Sequence, residues 1–496
     1  MNENEEQHNK QIVSKNRYIF SIIIALLIGV IGTLSVNYFV SDEKGNEEAD
    51  TPEKVTEAEL DTQLLFEDQE ELSTINKLYT ILKTNYYEEV DSEVLMEGAL
   101  EGMAAAVGDP YTEYLDQVES SSFEEDVSGS FEGIGAEVMK DGKYVRIISP
   151  IANSPAEEAG LQPNDLILEV AGESVADLPL NEAVELIRGP EDSSVELLIQ
   201  RGEEQFTISL VRATVPLETV FYEVDENDSS VGYVNIVNFN MPTYEETTTA
   251  IQELEDQGVE KIIFDVRGNP GGLLTTALQL SNIFVPDGDP LLMTEYREDE
   301  EPTVYSASEE YGEFKYDGDA VLLVDEGSAS ASEILAGAMR SVDIPIYGDT
   351  TFGKGTVQSV VELGEEDEVK FTSGKWLTAD GEWINEEGIE PDVAVSLPSY
   401  ATLFIINSSA TYEEGQTSAE VKNLKNVLSA LDYEVSDNET FDETVVDAVE
   451  AFQAENDEPV DGIVTGETAR LLTDALRTKI EENDTQYEAA VEALQE

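Results

Sequence analysis

The chain has 496 residues, a hydrophobic content of 41% and a formal net charge of −82, from 26 Lys and Arg against 108 Asp and Glu. That length implies about three domains with real cores, and the charge repels the phosphates of nucleic acid and of anionic membrane surfaces, so nucleic acid is excluded as a partner. The absence of cysteine excludes disulfides, thiolate catalysis and cysteine metal sites.

The cytoplasmic tail is expected over 1–17 and a transmembrane helix over 18–40, which reads YIFSIIIALLIGVIGTLSVNYFV without a charge. Lys10, Lys15 and Arg17 precede it, and the acidic SDEKGNEEAD follows. The positive-inside rule then leaves everything beyond Val40 outside the cell membrane as a single-pass protein. A cleaved signal peptide is the rival reading, but no clear small-x-small cleavage site is present. The charge excess points to a salty or alkaline exterior that screens it.

Residues 41–65 form an acidic linker, poor in aromatics. The region 66–123 is predicted helical, with Leu72, Ile75, Leu78, Tyr79 and Leu82 at helical spacing. Core packing is the preferred use of that stripe; packing against a second copy, as a homodimer, is the other. From 124 to 212 short β-type runs (YVRIIS, DLILEVAG, VELLIQRG, QFTISLVR) surround one helix, LNEAVELIRG. From 213 to 400 longer α/β units follow: VGYVNIVNF, TYEETTTAIQELEDQG, KIIFDVRG, then AVLLVDEG running into SASEILAGAMRSV. A small helical module occupies 413–477, and 478–496 is an acidic tail with helical propensity. The fold class is therefore multidomain, α/β and α+β.

The only histidine is His8, on the cytoplasmic side of this topology. An exterior Ser-His-Asp triad is thereby excluded, as are His-ligated zinc sites and HExxH peptidases. A serine hydrolase here needs another base, and lysine is the recurrent substitute. Ser330 sits at a strand-to-helix junction, where helix N–H groups can face a developing oxyanion. Ser330-Ala-Ser-Glu333 also spells a capping box, the plainer reading of that segment alone.

Lys354 lies in GDTTFGKGTVQ between Gly353 and Gly355. To act as a base it must be neutral, so its pKa must fall about three units, at a cost of roughly 4 kcal/mol. Burial can do this; Phe352 could wall the pocket and the glycines let the backbone close around it. A surface lysine in a glycine turn is the bland alternative. A phosphate-binding loop is the other sharp one, but Gly355 stands where Ser or Thr is needed. Gln358 would lie about 13 Å from Lys354 in a regular strand, so contact requires the glycine turn to break the strand. DVRGNPGG follows the strand KIIF and reads equally as a tight turn or as a loop that offers an N–H to an oxyanion.

Together, GDPYTEYL, DVRGNPGG, EGSASASEILAGAM, GDTTFGKGTVQ and KWLTADGEWINEEGIEPDV resemble the C-terminal processing (tail-specific) peptidases, a Ser-Lys dyad family, over most of 70–395. The resemblance implies Ser330 as nucleophile, Lys354 as base and Gln358 as support. It implies an oxyanion hole from Ala331 with Gly271 or Gly272, and no metal or other cofactor. One departure is the residue before the Asn in DVRGNPGG. Residues 124–212 resemble the PDZ domain of these proteases, with Gly133, Ile134, Gly135 and Ala136 as its carboxylate-binding loop. Arg188, beside that module, is expected to couple peptide binding to the active site. The 413–477 module resembles a peptidoglycan-binding domain through AFQ and DGIVTGET. The implied partners are proteins with free C-termini and peptidoglycan. The alternative function is a noncatalytic, wall-bound PDZ scaffold.

Overall fold

The computed structural model of the chain describes residues 69–296, 301–364 and 367–495. The expected membrane span, 18–40, lies outside these residues. No helix among the described residues is long and apolar enough to cross a membrane.

The centre is a six-stranded sheet. Four parallel neighbours, Val231–Ile236, Lys261–Asp265, Asp319–Val324 and Ile346–Gly348, are flanked by antiparallel Val220–Val224 and parallel Val393–Ala394. These strands read as nearly continuous apolar runs because both faces are covered. Val234, Ile262, Phe264 and Leu322 point to one face, where they meet the helices Thr243–Asp256, Leu274–Phe284 and Ala331–Ser341. Val231, Ile263, Val321 and Leu323 alternate to the other face. There they meet Ala490 and Leu494 of the helix Thr485–Gln495. The segment expected as an acidic tail thus holds the second cover of the central sheet.

A second sheet packs against the helices Leu274–Phe284 and Ala331–Ser341. Its long strand Glu368–Thr378 pairs with Thr356–Glu362, Pro290–Glu295 and the N-terminal Glu113–Leu115. The PDZ-like sheet runs Ala136–Asp141, Tyr144–Pro150, Leu166–Val170, Ser194–Arg201, Glu204–Val211, and leaves Ala136–Asp141 as an edge. It is joined to the rest through a two-stranded stem, Ser130–Gly133 with Ala213–Pro216. The helices Ala419–Ala430, Glu443–Glu455 and Gly466–Glu481 enclose a core of their own around Leu424, Val427, Val449 and Leu472.

The apolar stripe near the N-terminus does not enter a core among the described residues. It lies on the helix Gln69–Asn85, where Leu78 is 59% exposed and Leu72 and Ile75 are also exposed. The helical spacing produced a helix with an apolar stripe, but the preferred core packing is not seen: nothing among the described residues covers the stripe.

Phe264 is fully buried, edge-on to Phe284 and Tyr316. Phe264→Ala is expected to cost about 3–5 kcal/mol in chemical denaturation.

Candidate active site

Ser330 ends the loop between the strand Asp319–Val324 and the helix Ala331–Ser341. Its φ is +54° and its ψ −109°, a conformation unfavourable for any residue with a side chain. What holds it there is Glu333. The Ser330 N–H donates to Glu333 Oε2 at 2.8 Å, and the Ser330 carbonyl accepts from the Glu333 and Ile334 N–H groups at 2.9 Å.

Glu333 does more than cap the helix. The Lys354 N–H reaches the same Oε2 at 2.9 Å, while the Gly353 N–H and the Thr351 hydroxyl donate to Oε1 at 2.7 and 2.6 Å. One carboxylate therefore draws the loops of Ser330 and Lys354 together. Its own burial pushes its carboxyl pKa up, opposed by these hydrogen bonds.

Lys354 is 1% exposed, and its Nζ has no hydrogen-bond partner among the described residues, neither Ser330 nor Gln358. The ammonium lies 4.4 Å from the ring centroid of Tyr111. Trp376 closes the back, donating its indole N–H to the Lys354 carbonyl at 2.9 Å. Phe352, expected as a wall of this pocket, points away and is 56% exposed; the aromatic wall comes instead from Tyr111, more than 200 residues upstream. Gly353 has φ +87°, and a Cβ there would come within 2.9 Å of the Gly388 nitrogen. The glycine lets the segment around Gly388 close over the lysine loop.

Burial pulls the Lys354 ammonium down to about 7, helped by the like charge of Lys370. Glu333, Asp109 and Glu113 oppose this by favouring the charged form. A large part of the lysine is therefore neutral at ordinary pH, as a general base requires.

Gln358 lies in the strand Thr356–Glu362, just past a register shift between Val357 and Gln358. The strand starts two residues after Lys354, so the glycine turn does break regular extension. Gln358 Nε2 donates to Thr356 Oγ1 at 2.9 Å and Thr372 Oγ1 at 3.4 Å. The Thr372 hydroxyl continues to Asp109 at 2.7 Å. Gln358 is thus tied to the segment that carries Tyr111.

The glycine loop meets Ser330 directly. A Cβ on Gly271 would lie 2.9 Å from Ser330 Cβ and from the Ala331 nitrogen, with φ +106°. The Gly271 N–H is occupied, donating to Asn269 Oδ1 at 2.8 Å. The Gly272 and Ala331 N–H groups donate to no protein group among the described residues. Of the two glycines considered, Gly272 has the available donor. The loop is held by Asn269, whose carbonyl accepts the Ala329 N–H at 3.0 Å and the Ser332 hydroxyl at 2.9 Å.

In the PDZ-like module, the Ile134 and Gly135 N–H groups are also unengaged among the described residues. Gly133 ends the stem strand, and Ala136 begins the edge strand. Arg188 follows the helix Leu180–Ile187 and pairs with Glu125 of the helix Gln117–Ser128 at 2.5 Å, over the Phe131 ring. That helix packs through Phe123 and Val127 on Leu273, the neighbour of Gly272.

Residues 230–395 match peptidase family S41, and 26–119 match the N-terminal domain of the activating protease CtpB. Residues 146–201 match a PDZ domain and 417–472 a peptidoglycan binding domain. The carboxy-terminal processing protease CtpA of Bacillus subtilis (strain 168) is 42% identical over 422 residues, 85% of this chain and 89% of that one. The chain belongs to peptidase family S41. A CtpA-like serine protease of Staphylococcus aureus (strain MSSA476) is 39% identical over 420 residues, 84% of each chain. The solved photosystem II D1 C-terminal processing protease is 30% identical, with a TM-score of 0.39, across 66% of this chain and 88% of that one. The S41 match contains the glycine, serine and lysine loops, whereas Tyr111 falls in the CtpB N-terminal match.

Tyr111, the outward hydrogen bonds of Glu333 and the bracing contacts of Asn269 were not legible in the sequence, although Asn269 stood in the loop DVRGNPGG. Tyr111 did stand in a quoted motif, GDPYTEYL, and Glu333 in the capping pattern. Neither pattern says which distant loop the side chain meets.

The lysine shift has a stability consequence. The folded protein holds this proton less tightly than the unfolded chain. The penalty is fully present below about pH 7 and fades as pH rises to the ordinary lysine value of 10.5. Lys354→Met is expected to raise the unfolding free energy at pH 6 by up to about 4–5 kcal/mol. The gain should shrink towards pH 10, as measured by urea denaturation at both pH values.

Proposed function

We propose that this chain is a membrane-anchored, extracytoplasmic endopeptidase that cleaves proteins recognised by their C-terminal tails, through a Ser330–Lys354 dyad. The observation that carries the reading is a lysine amine that is buried, unpaired and held near neutrality in the loop tied to Ser330 by Glu333. The sequence offers no histidine beyond His8 to take that role.

Ser330 Oγ attacks the scissile carbonyl carbon and passes its proton to neutral Lys354 Nζ. The oxyanion is received by the Ala331 and Gly272 N–H groups. Collapse expels the amine, which takes the proton back from Lys354, and leaves an acyl-Ser330. Water, deprotonated by Lys354, then releases the acid and restores the serine. In the resting geometry Lys354 faces Tyr111; the Ser330–Lys354 hydrogen bond forms when the substrate is bound, since such contacts tighten in the reacting complex. Gln358 supports the lysine from the adjoining strand.

In the Gly133–Ala136 loop the Ile134 and Gly135 N–H groups, unengaged among the described residues, hold a substrate carboxylate, and the edge strand Ala136–Asp141 pairs with the extended tail. Arg188 relays occupancy through Glu125 and its helix to Leu273. The C-terminal module attaches the enzyme to peptidoglycan, the 18–40 segment anchors it, and a second copy covers the exposed face of Gln69–Asn85 in a homodimer.

Ser330→Ala and Lys354→Ala should each lower kcat at least about 10³-fold on an unfolded protein with a free apolar C-terminus. Persisting cleavage in both would overturn the dyad. In the wild type, kcat should rise with pH through an inflection near 7, because the neutral amine is the active form. Arg188→Ala should lose the stimulation given by a tail-bearing substrate over a tailless one, with basal cleavage retained; an unchanged ratio rejects the relay.

A further inference from the structure

The last helix, Thr485–Gln495, covers the central sheet through Ala490 and Leu494. Apolar burial of that kind needs no polar group. Yet its first turn contains Gln486, fully buried, with both ends of its amide engaged. Gln486 Oε1 accepts from Arg267 Nη1 at 2.9 Å. Its Nε2 donates to Asp349 Oδ2 at 2.9 Å and to the Val395 carbonyl at 2.8 Å.

Those partners are the roots of two different catalytic loops. Arg267 begins the loop that carries Gly271 and Gly272; Asp349 begins the loop that carries Lys354. The Asp349 N–H also donates to the Val324 carbonyl at 3.1 Å, at the end of the strand that leads to Ser330.

Asp484 adds a second tie. It takes Arg267 through both oxygens, at 3.0 and 2.8 Å, and caps the helix by accepting from the Gln486 and Tyr487 N–H groups. The Arg267 side chain is 11% exposed and is bonded on its other side to the buried Asp265 at 2.7 Å. From there the bracing reaches the oxyanion side: the Gly268 N–H donates to Asp325 at 2.7 Å, and Asn269 follows. A fixed guanidinium between two carboxylates has little freedom to shift, because each loss leaves a buried charge unpaired.

We propose that Asp484 and Gln486 are positioning residues for peptide-bond cleavage, so that the S41 site is complete only when the C-terminal helix is docked. They set the spacing between the glycine loop and the lysine loop. Small displacements between reacting groups have large kinetic effects. The proposal rests on the Ser330–Lys354 reading. It also gives the path of the chain a consequence. The wall-binding-like module is inserted between the strand Val393–Ala394 and this helix, so the chain must pass through that module before the active site is braced.

The test uses the full chain carrying Gln486→Met or Asp484→Asn, with wild type and Ser330→Ala in parallel. Methionine keeps the volume of the glutamine and deletes both hydrogen-bonding groups. Folded fraction is measured by thermal melting, and active sites are counted with a fluorophosphonate that labels Ser330. Per folded molecule, kcat and the labelling rate should fall about tenfold or more, with KM within about twofold. The inflection of kcat near pH 7 should move upward, because a displaced lysine loop admits water to Lys354. Wild-type kcat and inflection in the folded variants would overturn the proposal, as would a loss that vanishes on correction for the unfolded fraction. Cleavage persisting in Ser330→Ala would instead sink the dyad reading, whatever the helix variants do.

Discussion

A single buried carboxylate organises this site. Glu333 lies one turn into the helix that follows Ser330 and accepts from three backbone N–H groups and a hydroxyl. Four donors offset the cost of taking its charge out of water. Because two of those N–H groups belong to Ser330 and Lys354 and converge on one oxygen, their backbones cannot separate without uncovering that charge. The strained φ of Ser330 and the glycine-rich path of the lysine loop are both held from this point.

The lysine itself is held by exclusion. Its Nζ has an aromatic face below it and no hydrogen bond among the described residues. An amine so placed is costly while charged and comfortable when neutral, which is why burial dominates its shift. Nearby Glu333, Asp109 and Glu113 keep the shift from running further. The same geometry that keeps the amine largely neutral makes a local weakness in stability.

Segments from either side of the 230–395 match pack onto it. Residues 108–115 supply Tyr111 and a strand to the second sheet, and 484–495 supply the second cover of the central sheet and the bridge between loops. The PDZ-like module leaves and re-enters the fold through one two-stranded stem. The helix facing Arg188 packs in one cluster with Leu273, Leu115 and Val360, so the stem region adjoins the glycine loop and also the strand that follows the lysine loop.

Much of this was legible in the residues. Period-two runs gave the PDZ-like strands, apolar runs between helical patterns gave the central sheet, and the sole histidine at position 8 left lysine as the available base. Those signals are local or compositional, so they survive in one dimension. The contacts between distant segments did not. That Tyr111 rather than Phe352 walls the lysine, that Gly272 rather than Gly271 keeps a free N–H, and that Gln486 spans two loops depend on how distant segments meet. So does the exposure of the Leu78 stripe: helical spacing makes an apolar face, but only packing decides whether anything in the chain covers it. Sequence alone determined which chemistry was available; tertiary structure decided its geometry, because hydrogen bonds and burial are properties of neighbours in space.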